Sequence, residues 1–539
     1  MNGHRIQVST LGDLLLHAAD RYPDHAAIIF PDAQLTYAQL RDRAYLRARS
    51  LLGLGLQRRD HIGILMPNCL EYLECLLGIQ LMGGMAVPMN ARYKARELAY
   101  VVENADLASV LTSDLISEYA DFAELLAEAF PTLSRAPDPR ALSLPEAPVL
   151  RNVVMFGSSE RPGFVPQQTF ESLAAEATDD DVEARRMCAT LREPAIMMYT
   201  SGTTSDPKGC PLSHEVLVRS GVNMNRERYF LDDSDRFWAP LPMFHMASIL
   251  PMMACMDAGA AMQSMTHVEA GAALAMMERD GTTVAFPSFP TVTNELITHP
   301  DFKTRDLSRI RRINNVAPEE MLRKFQDAFP QAVQTGAFGL TEVGGVIAFN
   351  HPDDDLESRL NTCGAPFPGV EIKIVDPETA EQLPTGERGE ILVRGYAVFE
   401  GYYKAPEKNA EAFIDGWFRT GDMGSVDNAG RIAFHGRIKD TLKVGGENVA
   451  ALEIESYLAT HPSVKLAQVV GVPDDRLLEV PAAFIELNPN TWATEAELID
   501  YCSGKIASFK VPRYVRFVEE WPMSSTKVQK FRLLESFEP

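Results

Sequence analysis

Eleven consecutive residues, Tyr199-Thr200-Ser201-Gly202-Thr203-Thr204-Ser205-Asp206-Pro207-Lys208-Gly209, concentrate the groups that hold anionic oxygens. They follow a short apolar run, Ala195-Ile196-Met197-Met198, that reads as a buried strand. Glycine lets a backbone fold closely around a ligand, and turned N–H groups beside hydroxyls make a donor-rich cradle. Lys208 adds a full positive charge. The same composition also suits an ordinary Ser/Thr-rich surface turn. The sharper reading is a loop that holds nucleotide phosphates. It is not a Walker loop, in which Gly-Lys-Ser/Thr follows the first glycine at a fixed distance. Here Pro207 precedes Lys208 and Gly209 follows it.

The run resembles the phosphate-binding loop of the adenylate-forming (AMP-binding) superfamily, which holds acyl-CoA synthetases, luciferases and peptide-synthetase adenylation domains. Ser205 stands where that pattern usually carries glycine. The resemblance extends from about residue 10 to the C-terminus and is strongest to the acyl-CoA synthetase, or acid–thiol ligase, branch. It implies that Thr200, Ser201, Gly202, Thr203, Thr204 and Lys208 bind ATP.

Further segments carry the same likeness. Phe338-Gly339-Leu340-Thr341-Glu342 resembles the family's aromatic-Gly-x-Thr-Glu segment. There the aromatic lies along adenine, the threonine meets the α-phosphate and the glutamate ligates Mg²⁺. Glu342 suits that role because Mg²⁺ in nucleotide sites takes one or two carboxylates plus phosphate oxygens. Phe338 replaces the more frequent tyrosine, keeping the flat face. Asp422 corresponds to a ribose-binding aspartate, where a carboxylate accepts from two hydroxyls. Arg437 takes a second ribose or phosphate contact, and Lys439 falls at the hinge between a large and a small domain.

For the acyl side, Leu241-Pro242-Met243-Phe244-His245 matches the segment ahead of the pocket helix, with His245 at its gate and Met246 behind. Asn315-Val316-Ala317-Pro318 replaces Gly-Gly-Ala-Pro, and its bulk alters the pocket to which Gly345 also belongs. Toward the C-terminus, Lys527 matches the catalytic lysine that bridges carboxylate and α-phosphate, although the glycine usual before it is absent. Lys530 is the alternative register. Lys443, Gly445, Gly446 and Glu447 resemble the glycine hairpin that approaches the pantetheine arm of CoA, and the same residues suit a plain type I′ hairpin.

These groups need a scaffold. Strand-like runs (Ala26-Ala27-Ile28-Ile29-Phe30, His61-Ile62-Gly63-Ile64-Leu65) alternate with helical spacing over residues 51–56 and 71–82, which predicts layered α/β architecture with parallel sheets. Residues 131–190, rich in Pro, Ser, Asp and Glu, read as a partly ordered connection. Strand–turn–strand patterning over 371–394 predicts a β-rich subdomain. The expected plan is an N-terminal domain of layered α/β subdomains plus that β-rich subdomain over 1–436, and a small mobile α+β domain over 437–539.

With 539 residues, 46% of them hydrophobic, the chain can bury several cores. Its net charge of −23 disfavours nonspecific nucleic-acid or anionic-membrane binding. Seven scattered cysteines give no zinc or disulfide pattern and suit a reducing cytoplasm. No secretory leader or integral membrane segment is expected. The expected enzyme converts an apolar carboxylic acid, medium or long-chain, cyclic or aromatic, to its acyl-CoA through acyl-AMP, using ATP, Mg²⁺ and CoA. Alternatives are a stand-alone adenylation enzyme that loads a carrier protein and a carnitine/crotonobetaine-type CoA ligase. A luciferase-like oxygenase and a noncatalytic nucleotide-binding regulator are weaker rivals, and a homodimer is left open.

Overall fold

The computed structural model describes residues 9–200, 207–444, 447–474, 476–523 and 528–537. Two seven-stranded sheets organise the large N-terminal domain. One runs Val165–Pro166, Asn152–Phe156, Leu107–Ser113, His61–Leu65, Met85–Pro88, Pro194–Thr200 and Lys208–Ser213. It is parallel until the last pair, which is antiparallel. The second runs Val333–Thr335, Arg312–Asn315, Val284–Ser288, Arg236–Trp238, Ala261–Gln263, Ala26–Ile29 and Gln34–Thr36. It too is parallel with one antiparallel edge strand. Every residue of Leu107–Ser113 is buried, as in a strand covered on both faces, and its Ser109 and Thr112 hydroxyls are hydrogen-bonded inside.

The helices Leu70–Leu81, His214–Met224 and Met246–Ala258 join both sheets into the largest apolar core. A third, antiparallel sheet is built from Val370–Val375, Gly389–Gly395, Trp417–Val426, Phe413–Ile414 and Ile432–Arg437. This is the β-rich subdomain expected from residues 371–394. The small C-terminal domain has a mixed sheet of Glu447–Ala450, Thr441–Val444, Leu478–Leu487, Val464–Asp474 and Tyr514–Phe517. It carries apolar cores of its own, around Val449, Ile454 and Leu498 and around Val472 and Leu533.

Two local expectations need correction. Residues 131–190 are an integral part of the fold: Asn152–Phe156 is a fully buried strand paired with Leu107–Ser113. The polar residues that suggested a loose connection are helix-start signals. Thr178 and Asp181 form a capping box, and Asp179, Asp180 and Asp181 occupy the first turn of Asp179–Arg186, where the helix dipole favours anions. Residues 51–56 are not a separate helix. Leu51 to Gly53 close the helix Tyr37–Gly53, and Gly55, at φ +85°, turns the chain away.

Candidate active site

The stems of the hydroxyl-rich loop are neighbours. Thr200 pairs with Lys208 and Tyr199 with Gly209 in an antiparallel ladder, so both ends of the loop emerge at one sheet edge. A Cβ at position 209 would come within 2.9 Å of the Met197 sulfur, so glycine lets the strand pack closely over that side chain. Ser201, Gly202, Thr203 and Thr204 lie outside the described residues.

Beside these stems the chain folds Phe338 to Gly345 into a tight arch. Ala337–Phe338 ends as a short strand and Thr341–Val343 forms one 3₁₀ turn. The Gly345 N–H donates to the Leu340 carbonyl at 3.0 Å. A Cβ on Gly339 would lie 2.0 Å from the Gly345 carbonyl oxygen, so the arch closes only over glycine. The arch leaves Glu342 only 9% exposed. The Tyr402 hydroxyl donates to Glu342 Oε1 at 2.8 Å. The Lys208 ammonium lies 4.9 Å from the centre of the Tyr402 ring. Tyr402 thus touches both sequence-identified groups, although sequence reading did not single it out. The Phe338 ring is buried and lies 6.0 Å from Phe434, tilted by 35°.

Asp422 and Arg437 are partners across the antiparallel strands Trp417–Val426 and Ile432–Arg437. The turn that presents Asp422 is held from beneath. Gly421, at φ +70°, donates its N–H to buried Glu390, which also accepts from Arg419 Nε at 2.9 Å. The Asp422 N–H donates to the Thr420 hydroxyl at 3.0 Å. Lys439, in the 3₁₀ turn Ile438–Asp440, shares this neighbourhood. Burial, then the Arg437 guanidinium and more weakly Lys208, push its ammonium below the usual lysine range, against Asp440 and Asp422. The loop stem, the carboxylate–guanidinium pair and the expected hinge therefore feel one another's charge.

On the acyl side, His245 takes the N-cap position of Met246–Ala258, a helix buried along most of its length. Gly345, at φ +98°, packs so closely that a Cβ there would sit 2.7 Å from Met246 Cβ. His245 and Met246 thus adjoin the arch that carries Thr341 and Glu342. Asn315 is wholly buried, and its amide is committed, donating to Gln334 at 2.9 Å and accepting from Thr293. Val316 beside it is 48% exposed, and both residues border the same cavity. Val316, Ala317, Gly336 and Phe434 line a cavity of about 680 Å³ whose opposite wall, with Leu452 and Lys465, belongs to the C-terminal domain.

The C-terminal candidates divide. Thr441–Val444 and Glu447–Ala450 form the expected hairpin, with Val444 opposite Glu447. Lys443 and Glu447 are exposed, and Gly445 and Gly446 lie outside the described residues. The hairpin base abuts the strand ending at Arg437, since a Cβ on Gly436 would meet Ala450 and Leu452 at ordinary contact distance. Lys527 also lies outside the described residues, between Met523 and Val528, which pair as an isolated bridge. Lys530 is spoken for: its ammonium lies 2.6 Å from Glu455. Across the two domains, Arg388 donates to Glu453 Oε1 at 2.8 Å, and Lys510 holds Glu453 Oε2.

Residues 15–403 match the model of the AMP-binding enzymes, and residues 453–527 match that of the AMP-binding enzyme C-terminal domain. The chain belongs to the AMP-binding enzyme family. Within it the relatives are acyl-CoA synthetases and ligases. YngI of Bacillus subtilis (strain 168), named by inference as an acyl-CoA synthetase, is 35% identical over 98% of this chain and 97% of its own. The mitochondrial medium-chain acyl-CoA ligase ACSF2 of Danio rerio is 31% identical over 100% of this chain and 90% of its own. Among solved structures, the anthranilate CoA ligase AuaEII with anthranoyl-AMP aligns with a TM-score of 0.86 at 26% identity, covering 98% and 97% of the two chains. ATP-bound MatB from Rhodopseudomonas palustris aligns at 0.82 with 27% identity, covering 97% and 98%.

This AMP-binding enzyme is an acid–thiol ligase of the acyl-CoA synthetase branch. Among its described residues, no group of three or more His, Cys, Asp or Glu is placed to hold a metal ion, and no helix is long and apolar enough to cross a membrane. Glu342 is a single hard-oxygen donor with one oxygen fixed by Tyr402, a donor set that suits a dication bringing phosphate oxygens with it.

Proposed function

We propose that this AMP-binding enzyme couples ATP cleavage to acyl-CoA formation in two half-reactions. The substrate carboxylate attacks the α-phosphate of ATP, giving acyl-adenylate and releasing pyrophosphate. The CoA thiol then attacks the acyl carbon and AMP departs. Activation is needed because a carboxylate is a poor electrophile, whereas AMP is a good leaving group.

The observation that carries this reading is the convergence of Lys208, Glu342 and the Asp422–Arg437 pair at the stems of one hydroxyl-rich loop. On this reading Thr200, Ser201, Gly202, Thr203, Thr204 and Lys208 hold phosphates, Asp422 and Arg437 hold the ribose, and Phe338 lies along the base. Mg²⁺, when bound with the nucleotide, would neutralise phosphate charge, with Glu342 as its carboxylate ligand. Thr341 contacts the α-phosphate, and Lys527 bridges the two anionic partners as the new bond forms.

A division near residue 437 into a large and a small domain would give the second step its geometry. Rotation about Lys439 withdraws Lys527 and brings the Lys443–Glu447 hairpin to the site. The acid is apolar: His245 and Met246 lead into a helix of buried methionines, side chains that adapt to varied apolar shapes. The relatives' names, a medium-chain ligase and an anthranilate ligase, put medium-chain and aromatic acids first in the panel.

The test is acid-dependent exchange of labelled pyrophosphate into ATP across medium-chain, long-chain and aromatic acids, followed by thioester formation with CoA. Exchange with at least one apolar acid, and thioester only when CoA is added, is expected. No exchange with any acid would defeat the reading. Exchange followed by transfer only to a phosphopantetheinyl carrier protein would move the acceptor from CoA to protein.

A further inference from the structure

Tyr402 lies 60 residues beyond Glu342 in the chain, on a segment to which neither the phosphate loop nor the arch belongs. Its placement is unusually constrained. The Tyr402 N–H donates to Asn409 Oδ1 at 2.7 Å, and Asn409 Nδ2 donates back to the Tyr402 carbonyl at 3.0 Å. Gly401, at φ +134°, allows that two-point clasp, since a Cβ there would lie 3.0 Å from the Asn409 side chain. The next residue, Tyr403, donates its N–H to the Gly209 carbonyl at 2.8 Å, tying the segment to the strand that carries Lys208. The Phe399 N–H donates to the Glu342 carbonyl at 2.9 Å, tying it to the arch. Phe399 also meets the Tyr402 ring edge to face at 4.8 Å. The tyrosine is thus pinned from its own backbone, from the loop strand and from the arch.

Its side chain uses that rigidity in two directions. The phenol O–H donates to Glu342 Oε1, and among the described residues no donor reaches Oε2. The ring face receives the Lys208 ammonium, a cation–π contact.

We propose that Tyr402 is a positioning residue of the nucleotide site, which holds the Glu342 carboxylate and the Lys208 ammonium at a fixed separation before ATP arrives. One carboxylate oxygen is occupied by the phenol, which would leave the other for the dication, and the ammonium is kept over the ring, from where it would serve the phosphates. The proposal rests on the functional reading above, in which Glu342 is the metal ligand and Lys208 a phosphate contact. A carboxylate without this hydrogen bond would sample other rotamers, and each encounter with Mg²⁺·ATP would have to reorder it.

The experiment is titration calorimetry of the full-length protein with Mg²⁺·α,β-methylene-ATP and with metal-free AMP, alongside pyrophosphate exchange as a function of Mg²⁺. Tyr402→Phe keeps the ring and loses the donor, so it should weaken Mg²⁺·α,β-methylene-ATP binding about tenfold, within the range for a hydrogen bond to a charged group. Metal-free AMP should bind within about twofold of wild type, and the Mg²⁺ concentration for half-maximal exchange should rise about tenfold. Tyr402→Leu removes the ring as well and should weaken metal-free α,β-methylene-ATP about fivefold further. In a Glu342→Gln background, Tyr402→Phe should add less than about twofold, because the two groups act together.

Full additivity there, or equal loss for metal-free AMP and the Mg²⁺ complex, would overturn the proposal by marking Tyr402 as general packing. Wild-type values in every titration would overturn it as well. If the wild-type protein binds Mg²⁺·α,β-methylene-ATP with these mutant effects but exchanges pyrophosphate with no acid, Tyr402 keeps its role and the acyl-CoA reading falls instead.

Discussion

Asp422 and Arg437 face each other across two antiparallel strands, with the guanidinium Nε 3.4 Å from a carboxylate oxygen. The aspartate is almost wholly buried, and the arginine keeps about a third of its side chain exposed. In the proposed function this carboxylate accepts from the ribose hydroxyls while the guanidinium beside it holds it in place. Asp422→Asn should therefore weaken AMP binding roughly 10–100-fold, the range for hydrogen bonds to a charged group. Calorimetry with AMP measures it directly, and unchanged affinity would remove Asp422 from the site.

The two C-terminal lysines should separate cleanly. Lys527→Ala is expected to slow adenylation by about 10²–10³, the usual cost of one preorganised electrostatic donor, and to spare thioester formation from supplied acyl-adenylate. Lys530→Ala should act on stability instead. It strips the partner from Glu455, which is buried and also accepts the Val469 N–H at 2.7 Å, so unfolding should become easier by about 1–3 kcal/mol. Single-turnover kinetics and urea melts decide between them. A larger kinetic defect from Lys530→Ala would reverse the assignment.

Lys439→Pro should stop the cycle halfway. Residue 439 lies in a 3₁₀ turn, whose φ near −60° proline shares. The starting state should fold and form adenylate, but a locked φ prevents the large dihedral change that domain rotation needs. Thioester formation should fall by orders of magnitude while pyrophosphate exchange persists. Wild-type speed in both steps would put the hinge elsewhere.

His214 sets an acid limit on stability. It is buried, and its Nδ1 accepts the Leu11 N–H at 3.2 Å, so it must stay neutral. Burial lowers its pKa to about 4, opposed by Glu193 and Asp13. The unfolded chain binds the proton near pH 6.5 and the folded chain only near 4. The stability this neutral histidine secures is complete above about 6.5 and is lost progressively as pH falls toward 4, by on the order of 3 kcal/mol. His214→Asn keeps an acceptor for Leu11 and abolishes the titration. Its denaturation midpoint should depend less on pH between 6.5 and 4.5 than that of wild type, and parallel curves would sink the claim.

Much of what surrounds the hydroxyl-rich loop was legible because its pattern is written locally. The strand before the loop, the lysine after it and the Phe338–Glu342 run each declare themselves within a few residues. Tyr402 was not legible, since its meaning arises only when a segment 60 residues past Glu342 returns to the loop strand. What Asn315 does was not legible either: its amide is held by Thr293 and Gln334, a choice fixed by neighbours distant in sequence. Residues 131–190 misled because helix caps and loops draw on the same Asp, Ser and Thr residues. Only the buried, paired strand Asn152–Phe156 separates the two.

Glu453 has a cation on each side of the domain boundary, Arg388 across it and Lys510 within its own domain. If the small domain swings as proposed, the carboxylate leaves Arg388 but takes Lys510 along, so no bare charge is uncovered. The ion pair that opens involves a guanidinium already 60% exposed and is worth at most about 1 kcal/mol. It acts as a soft detent, not a lock, and electrolyte sets its strength: the screening length shrinks from about 10 Å at 0.1 M salt to about 3 Å at 1 M. On that proposal the poise between two postures would be exposed to ionic strength at this seam, while the buried cores on either side are indifferent to it.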